Sequence, residues 1–131
     1  MEKYEIRPLL YYTKEHTWAK VLPNGNVMIG ITDYAQKKLG EIVFVKLPEK
    51  GTKVTQANPF GEVESIKATV NVYSPVSGVV KERNSQVIEN SSLIAKNPYE
   101  NWLIILEPTN LTQELKNLLT SGTYKELLAI R

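Results

Sequence analysis

Apolar residues along most of this chain fall in short alternating runs, interrupted by turn formers about every ten residues. Residues 18–21 and 27–31 flank Pro23-Asn24-Gly25-Asn26, and Asn-Gly between two β-type runs predicts an antiparallel pair. Residues 33–39 predict a single short internal helix, with Asp33 as N-cap, Gln36 three residues on and Gly40 as the terminator. Residues 41–47 read as a strand with Ile42, Phe44 and Lys46 on one face and Val43 and Val45 on the other. A strand apolar on both faces is expected between layers. A further strand begins over 53–55, and Asn58-Pro59 leads into the run 60–64. Residues 68–73 alternate, with Ala68, Val70 and Val72 opposite Thr69, Asn71 and Tyr73. After Pro75 and Gly78, residues 79–82 resume the β pattern, and 103–107 form a last strand before Pro108. Residues 1–12 read as an extended lead-in, and 84–101 hold only the apolar islands Val87-Ile88 and Leu93-Ile94-Ala95.

The tail changes period. Asn110 and Gln113 open a helix in which Leu111, Leu115, Leu118 and Leu119 share a face, and Ser121-Gly122 stops it. Thr123 with Glu126 caps a final short helix whose Leu127 and Leu128 pack down. The whole reads as one mainly β domain over residues 1–131, with a sandwich or barrel-like core over about 12–108 and a helical segment over 110–130.

Composition narrows the chemistry. Net charge is +2, from 16 basic and 14 acidic residues without a basic cluster, so no nucleic-acid footprint is present. No long apolar run occurs and residues 1–7 lack the apolar core of a signal peptide, which predicts a soluble, cytoplasmic protein without a membrane partner. Cysteine is absent, excluding disulfides, a thiolate nucleophile and cysteine-ligated metal. His16 is the single histidine, so a histidine-rich zinc site is excluded. Ser65, Ser74 and Ser77 lie in no Gly-x-Ser-x-Gly pattern, and no phosphate-cradling Gly-x-x-x-x-Gly-Lys occurs. Any chemistry therefore arrives with a cofactor or a partner.

One segment stands out against that background. Glu64-Ser65-Ile66-Lys67-Ala68 joins two β-type runs, where a tight turn ordinarily carries Gly, Asn or Asp. Its centre is Ile66-Lys67, with a β-branched residue averse to positive φ. Either this turn uses only right-handed backbone angles, or its side chains serve something other than turn stability. A lysine on such a turn projects its amine into solvent, within reach of a modifying enzyme.

Glu64-Ser65-Ile66-Lys67-Ala68 followed by Tyr73-Ser74-Pro75-Val76-Ser77-Gly78 resembles the lipoylation hairpin of the glycine cleavage system H-protein family. Gly30-Ile31-Thr32-Asp33-Tyr34-Ala35-Gln36, Leu39-Gly40-Glu41-Ile42-Val43-Phe44-Val45, Leu47-Pro48, Asn97-Pro98-Tyr99 and Trp102-Leu103 resemble further family elements, in order and at nearly the family spacing. The resemblance runs from about Tyr12 to about Leu128 and implies a lipoyl/biotinyl-carrier barrel-sandwich hybrid with the carrier lysine at a hairpin tip. It implies lipoate bound covalently to Lys67 within the recognition hairpin of Glu64, Ser65, Ile66 and Ala68. Biotin carriers typically flank their lysine with methionine, whereas Met1 and Met28 both lie far from Lys67. Glu64 is then a recognition feature for the lipoate-attaching enzyme, against the plain reading of an exposed strand carboxylate. Gly61 and Gly78 suit a bulge and a turn, and in the family such a glycine also helps that enzyme find the hairpin.

His16, Tyr34 and Asn71 are candidates for the groove in which the loaded arm rests; Tyr34 reads equally as core edge. Trp102 reads as a buried structural residue. The chain departs from the family in Thr17, where glutamate is common, in neutral Asn71, where aspartate is common, and in the short link Glu100-Asn101 before Trp102. The resemblance implies a monomeric, non-catalytic carrier of the aminomethyl group of glycine. Its partners are a pyridoxal-phosphate glycine decarboxylase, a tetrahydrofolate-dependent aminomethyltransferase and dihydrolipoyl dehydrogenase. The departures leave open a related use, as an H-protein-like lipoyl carrier in sulfur oxidation or in lipoyl relay.

Overall fold

Among the described residues the alternating runs become nine strands in two antiparallel sheets. The computed structural model describes residues 3–129. One sheet has six strands, ordered β1 (Tyr11–Tyr12), β2 (Thr17–Val21), β3 (Val27–Ile31), β9 (Ile104–Pro108), β8 (Gly78–Arg83) and β5 (Lys53–Val54). The other has three, β4 (Ile42–Lys46), β6 (Pro59–Ser65) and β7 (Thr69–Tyr73), with β6 central. Neither sheet closes into a barrel. β2 and β3 pair from Thr17↔Ile31 to Val21↔Val27 as the Asn-Gly signal predicts, and Leu22 N–H closes the loop on Asn26 O at 2.8 Å.

Burial follows the pleat where the ladders are regular and departs from it where they are not. A register shift between Ile42 and Phe44 breaks the alternation of β4. Ile42 and Val45 face the core, while Val43 and Phe44 are 46% and 52% exposed, so the expected strand apolar on two buried faces is not formed. In β7, the edge of its sheet, Val72 is buried and Val70 is 38% exposed. The main cluster takes in Val27, Ile29, Val45, Val63, Val80 and Leu106. A second, aromatic cluster holds Tyr12, Trp18, Tyr99 and Tyr124, with Trp102 partly buried against it. There the rings of Tyr12 and Tyr124 stack at 4.6 Å and Trp18 Nε1 donates to Pro98 O at 3.1 Å. The stack contributes about 1 kcal/mol beyond the area it buries.

Three internal helices occur where the pattern predicts one: α1 (Asp33–Leu39), α2 (Ser85–Glu89) and α3 (Leu93–Lys96). α2 and α3 bury only Val87 and Ile94 respectively, too few positions to show a helical period. Thr32, not Asp33, caps α1, its hydroxyl accepting from Ala35 N–H at 3.2 Å. Asp33 stands in the first turn, and Gly40 ends the helix at φ 79° as expected.

The tail holds α4 (Leu111–Leu115) and α5 (Ser121–Ala129). Asn110 makes no side-chain cap bond. Ser121 and Gly122 open α5 rather than stop α4, because Thr120 and Thr123 cap each other's backbone: Thr120 N–H donates to Thr123 Oγ1 at 2.8 Å and Thr123 N–H to Thr120 Oγ1 at 3.2 Å. Leu118 and Leu119 lie beyond the turn that follows α4, and Leu119 forms an isolated antiparallel bridge with Tyr12 through two backbone bonds of 2.8 Å. Tyr124 is the buried residue of α5, with Leu127 and Leu128 packed beside it. The parts of the predicted lead-in and last helix at 1–2 and 130 lie outside the described residues.

Candidate functional site

β6 and β7 pair from Pro59↔Tyr73 up to Glu64↔Thr69, and residues 65–68 form the tip. Among the described non-glycine residues only Leu9, His16 and Ala57 have positive φ, so the tip is built on right-handed angles alone. Ser65 makes that possible. Its N–H donates to Ala68 O at 2.8 Å, while its hydroxyl oxygen accepts from Lys67 N–H at 3.1 Å and Ala68 N–H at 3.2 Å. A side-chain acceptor thus joins the backbone bond in closing the turn, and takes the Ala68 N–H that a glycine turn would give to the Ser65 carbonyl. Ile66 N–H donates to Glu41 O at 3.1 Å, which pins the tip to the start of β4, and the Ile66 side chain stays 69% exposed.

Lys67 is exposed and lies across the end of α1. Its Nζ donates to Lys38 O at 2.8 Å, and its Cε passes 3.6 Å from where a Cβ on Gly40 would stand. A cation at a helix C-terminus meets the negative end of the dipole, worth a few tenths of a kcal/mol at such an exposed place. The attachment is light, and the amine is accessible. Glu64 and Ala68 are exposed beside it, with Glu64 between Phe44 and Thr69 in the ladder.

Two glycines are dictated by close approach. The ladder shifts register between Pro59 and Gly61, the expected bulge, and a Cβ on Gly61 would collide with Lys46 O of the neighbouring strand. Gly78 is not a turn residue. It opens β8, where a Cβ would collide with Glu107 O. Beside it Ser77 N–H and Oγ each donate to the buried Glu114 carboxylate at 2.6 Å, which ties α4 to the strand pair.

The remaining candidates divide between two places. His16 and Tyr34 come together with ring centroids 4.4 Å apart, and His16 Nδ1 lies 2.8 Å from Tyr124 OH. That hydroxyl also meets Thr32 Oγ1 at 2.8 Å. Lys38 Nζ stands 5.4 Å above the Tyr34 ring, and Tyr4 packs edge-on against it at 4.9 Å. Tyr34 is thus part of an aromatic cluster on α1, one helical turn from Lys38, rather than core edge alone. Asn71 lies elsewhere, lining an open depression with Lys46, Leu47, Phe60 and Glu62. Thr17 is buried and its hydroxyl bonds Thr13 Oγ1 at 2.7 Å. Sequence reasoning missed Tyr4, Lys38 and Tyr124, whose proximity to His16 and Tyr34 no local pattern signals.

Asp33 anchors the same region. Burial alone would push its carboxyl up, but the Glu5 N–H, the Gln36 amide and the Lys37 ammonium outweigh it and hold the group below the usual carboxylate range. Burial pushes the Tyr12 and Tyr99 hydroxyls up. Among the described residues, no three His, Asp or Glu side chains gather as a metal site, and no helix is long and apolar enough to cross a membrane.

Comparison with known proteins agrees with this architecture. The family model described as glycine cleavage H-protein matches residues 10–130. A protein of Thermococcus kodakarensis described as "Probable glycine cleavage system H protein" is 48% identical over 126 residues, covering 96% of this chain and 94% of that one. The glycine cleavage system H protein of Geobacillus kaustophilus is 47% identical over 120 residues, covering 91% and 93%. The crystal structure of a glycine cleavage system H protein from Mycobacterium marinum superposes with a TM-score of 0.86 at 35% identity, covering 95% of this chain and 99% of that one.

Proposed function

Since this chain belongs to the glycine cleavage H-protein family, we propose that it is a lipoyl carrier with Lys67 as the attachment residue, moving the aminomethyl group of glycine from the decarboxylase to the aminomethyltransferase and meeting dihydrolipoyl dehydrogenase to restore the arm. The observation that carries this reading is Lys67 itself, exposed at the tip of a hairpin that Ser65 closes, with its amine bonded to Lys38 O.

The residues present fit a lipoyl group. Amide formation would remove the ammonium charge but leave one N–H, and Lys38 O at 2.8 Å is placed to go on accepting it. When bound, the lipoyl group supplies a disulfide that opens to accept the carried group and is re-formed by oxidation. The chain's own residues supply a tether and its surroundings. Ser65 and the Ile66 N–H bond to Glu41 O fix where the tip stands, so the arm pivots from a defined origin. Tethering raises the arm's effective concentration at each partner's site. The aromatic faces of Tyr34 and His16 offer an apolar wall that excludes water from whatever rests against them. Glu64, exposed three residues before Lys67, is the side chain the attaching enzyme reads together with the tip.

The test is intact mass with peptide mapping after co-expression with a lipoate ligase and supplied lipoate. One lipoyl group on Lys67, absent from Lys67→Arg, is expected. Lipoylation of Lys67→Arg would overturn the assignment. Lipoyl-dependent exchange of the glycine carboxyl carbon with CO₂, using purified glycine decarboxylase, separates glycine cleavage from another lipoyl pathway.

A further inference from the structure

The segment before the family match is folded back onto α1 rather than trailing away from it. Glu5 N–H donates to Asp33 Oδ2 at 2.8 Å, Tyr99 OH to Glu5 O at 2.6 Å, Lys37 Nζ to Lys3 O at 2.9 Å and Tyr12 OH to Arg7 O at 2.6 Å. The Arg7 guanidinium lies over the Tyr99 ring at 5.2 Å. Between these ties Tyr4 presents its edge to Tyr34, within 6.0 Å of the Lys37 and Lys38 ammonium groups. At the other end the segment turns into β1 at Leu9, whose φ of 66° lies in the left-handed region that a leucine adopts only at a cost. Contacts thus hold the segment down while Leu9, at its end, carries backbone strain.

Its place on α1 gives that element something to cover. Lys67 Nζ already sits on Lys38 O, so an acyl group extended from it starts at the C-terminal end of α1. Lys38 and Tyr34 share one face a turn apart, and a turn advances only about 5.4 Å. The acyl chain and dithiolane ring of a lipoyl group are long enough to reach Tyr34, where Tyr4 stands. We propose that residues 3–9 form a strap that closes the resting place of the arm on α1, with Tyr4 as its contact residue and Leu9 as its hinge. The inference rests on the assignment of Lys67 as the attachment residue. Closed, the strap walls the arm's far end; open, it releases the arm toward a partner.

The experiment uses full-length protein lipoylated on Lys67, reduced with a phosphine and exposed to iodoacetamide, with thiol alkylation followed by mass. An aromatic edge-to-face pair corresponds to roughly a three- to tenfold change in the closed–open equilibrium. Tyr4→Ala is therefore expected to speed alkylation about three- to tenfold, with Tyr4→Phe slower than Tyr4→Ala because the ring pair is kept. Leu9→Gly, which relieves the hinge, is expected to slow it. Circular dichroism checks that each variant is folded. Equal alkylation of wild type and Tyr4→Ala, both carrying the adduct, would overturn the strap and leave the carrier reading standing. A chain that takes no lipoyl group on Lys67 would overturn both.

Discussion

Gly61→Ala separates a glycine required by packing from one read only by a partner enzyme. The added methyl meets Lys46 O inside van der Waals contact, while Lys46 C and Leu47 Cδ2 stand at ordinary distances of 3.5 and 3.6 Å. The whole strain thus falls on a backbone carbonyl, and Lys46 sits in the ladder opposite Glu62, next to the altered residue. Relief requires β4 to move from β6, weakening one or two ladder bonds at about 1 kcal/mol each. Displaced packing beneath them adds about 1–2 kcal/mol, giving a total near 2–4 kcal/mol. With an m-value of about 1.5 kcal/mol per molar urea, the unfolding midpoint falls by about 1–3 M at unchanged m. The thermal midpoint drops by roughly 8–16 °C. Urea titration by circular dichroism of the unlipoylated protein measures the effect without any enzyme present. A midpoint within about 0.3 M of wild type, alongside lost lipoylation, would refute the packing argument and leave enzyme recognition as the reason for the glycine.

Other expectations test the clip, the turn and the acid response. Ser65→Ala removes the acceptor of the Lys67 and Ala68 N–H groups, and because both are near water the cost is about 0.5–1 kcal/mol, seen as faster amide exchange at those two positions; unchanged exchange would refute the role of the hydroxyl. Glu114→Ala takes the acceptor from the half-buried Ser77 N–H and from the Ser77 hydroxyl, which still accepts from Gln56 N–H, and costs about 1–3 kcal/mol, whereas Glu114→Gln keeps an acceptor and costs less; the reverse ranking in denaturation midpoints would count against it. Asp33 has a depressed folded pKa, so its contribution is full above the unfolded value near 3.8 and is lost as pH falls through the lower folded value. Asp33→Asn should therefore flatten the acid limb of stability against pH, and an unaltered limb would sink that account.

Signals that rest on local chemistry were legible: the Asn-Gly pair, the lysine hairpin and the Gly40 terminator stand where the pattern puts them, while the last strand runs one residue later than expected and takes in Pro108, opposite Gly78, as its final residue. Misreadings arose where a distant group took over a local one. Asp33 has the spacing of a capping residue with Gln36, but its carboxylate is taken by Glu5 N–H, 28 residues away, and Thr32 caps instead. Gly122 looks like a stop, yet the Thr120–Thr123 exchange makes it the start of a helix. The shift in β4 leaves no trace in residues 42–46, since either face remains apolar on paper. At the site, Lys67 was visible as an unusual turn residue, whereas the union of His16 with Tyr124 spans 108 residues and is a product of the fold alone.

The Ser65 turn has a consequence for where such a tip could be placed. Its geometry is set by a hydroxyl within the tip and by right-handed angles, so the tip asks for no glycine and little from the identities of its two central residues. Those positions can be rewritten by whatever enzyme comes to read them without the loop losing its shape. A short segment that brings its own closure is portable: grafted between two antiparallel strands of another protein, it would carry the presentation of its lysine with it, leaving behind the bonds from Ile66 N–H to Glu41 O and from Lys67 Nζ to Lys38 O.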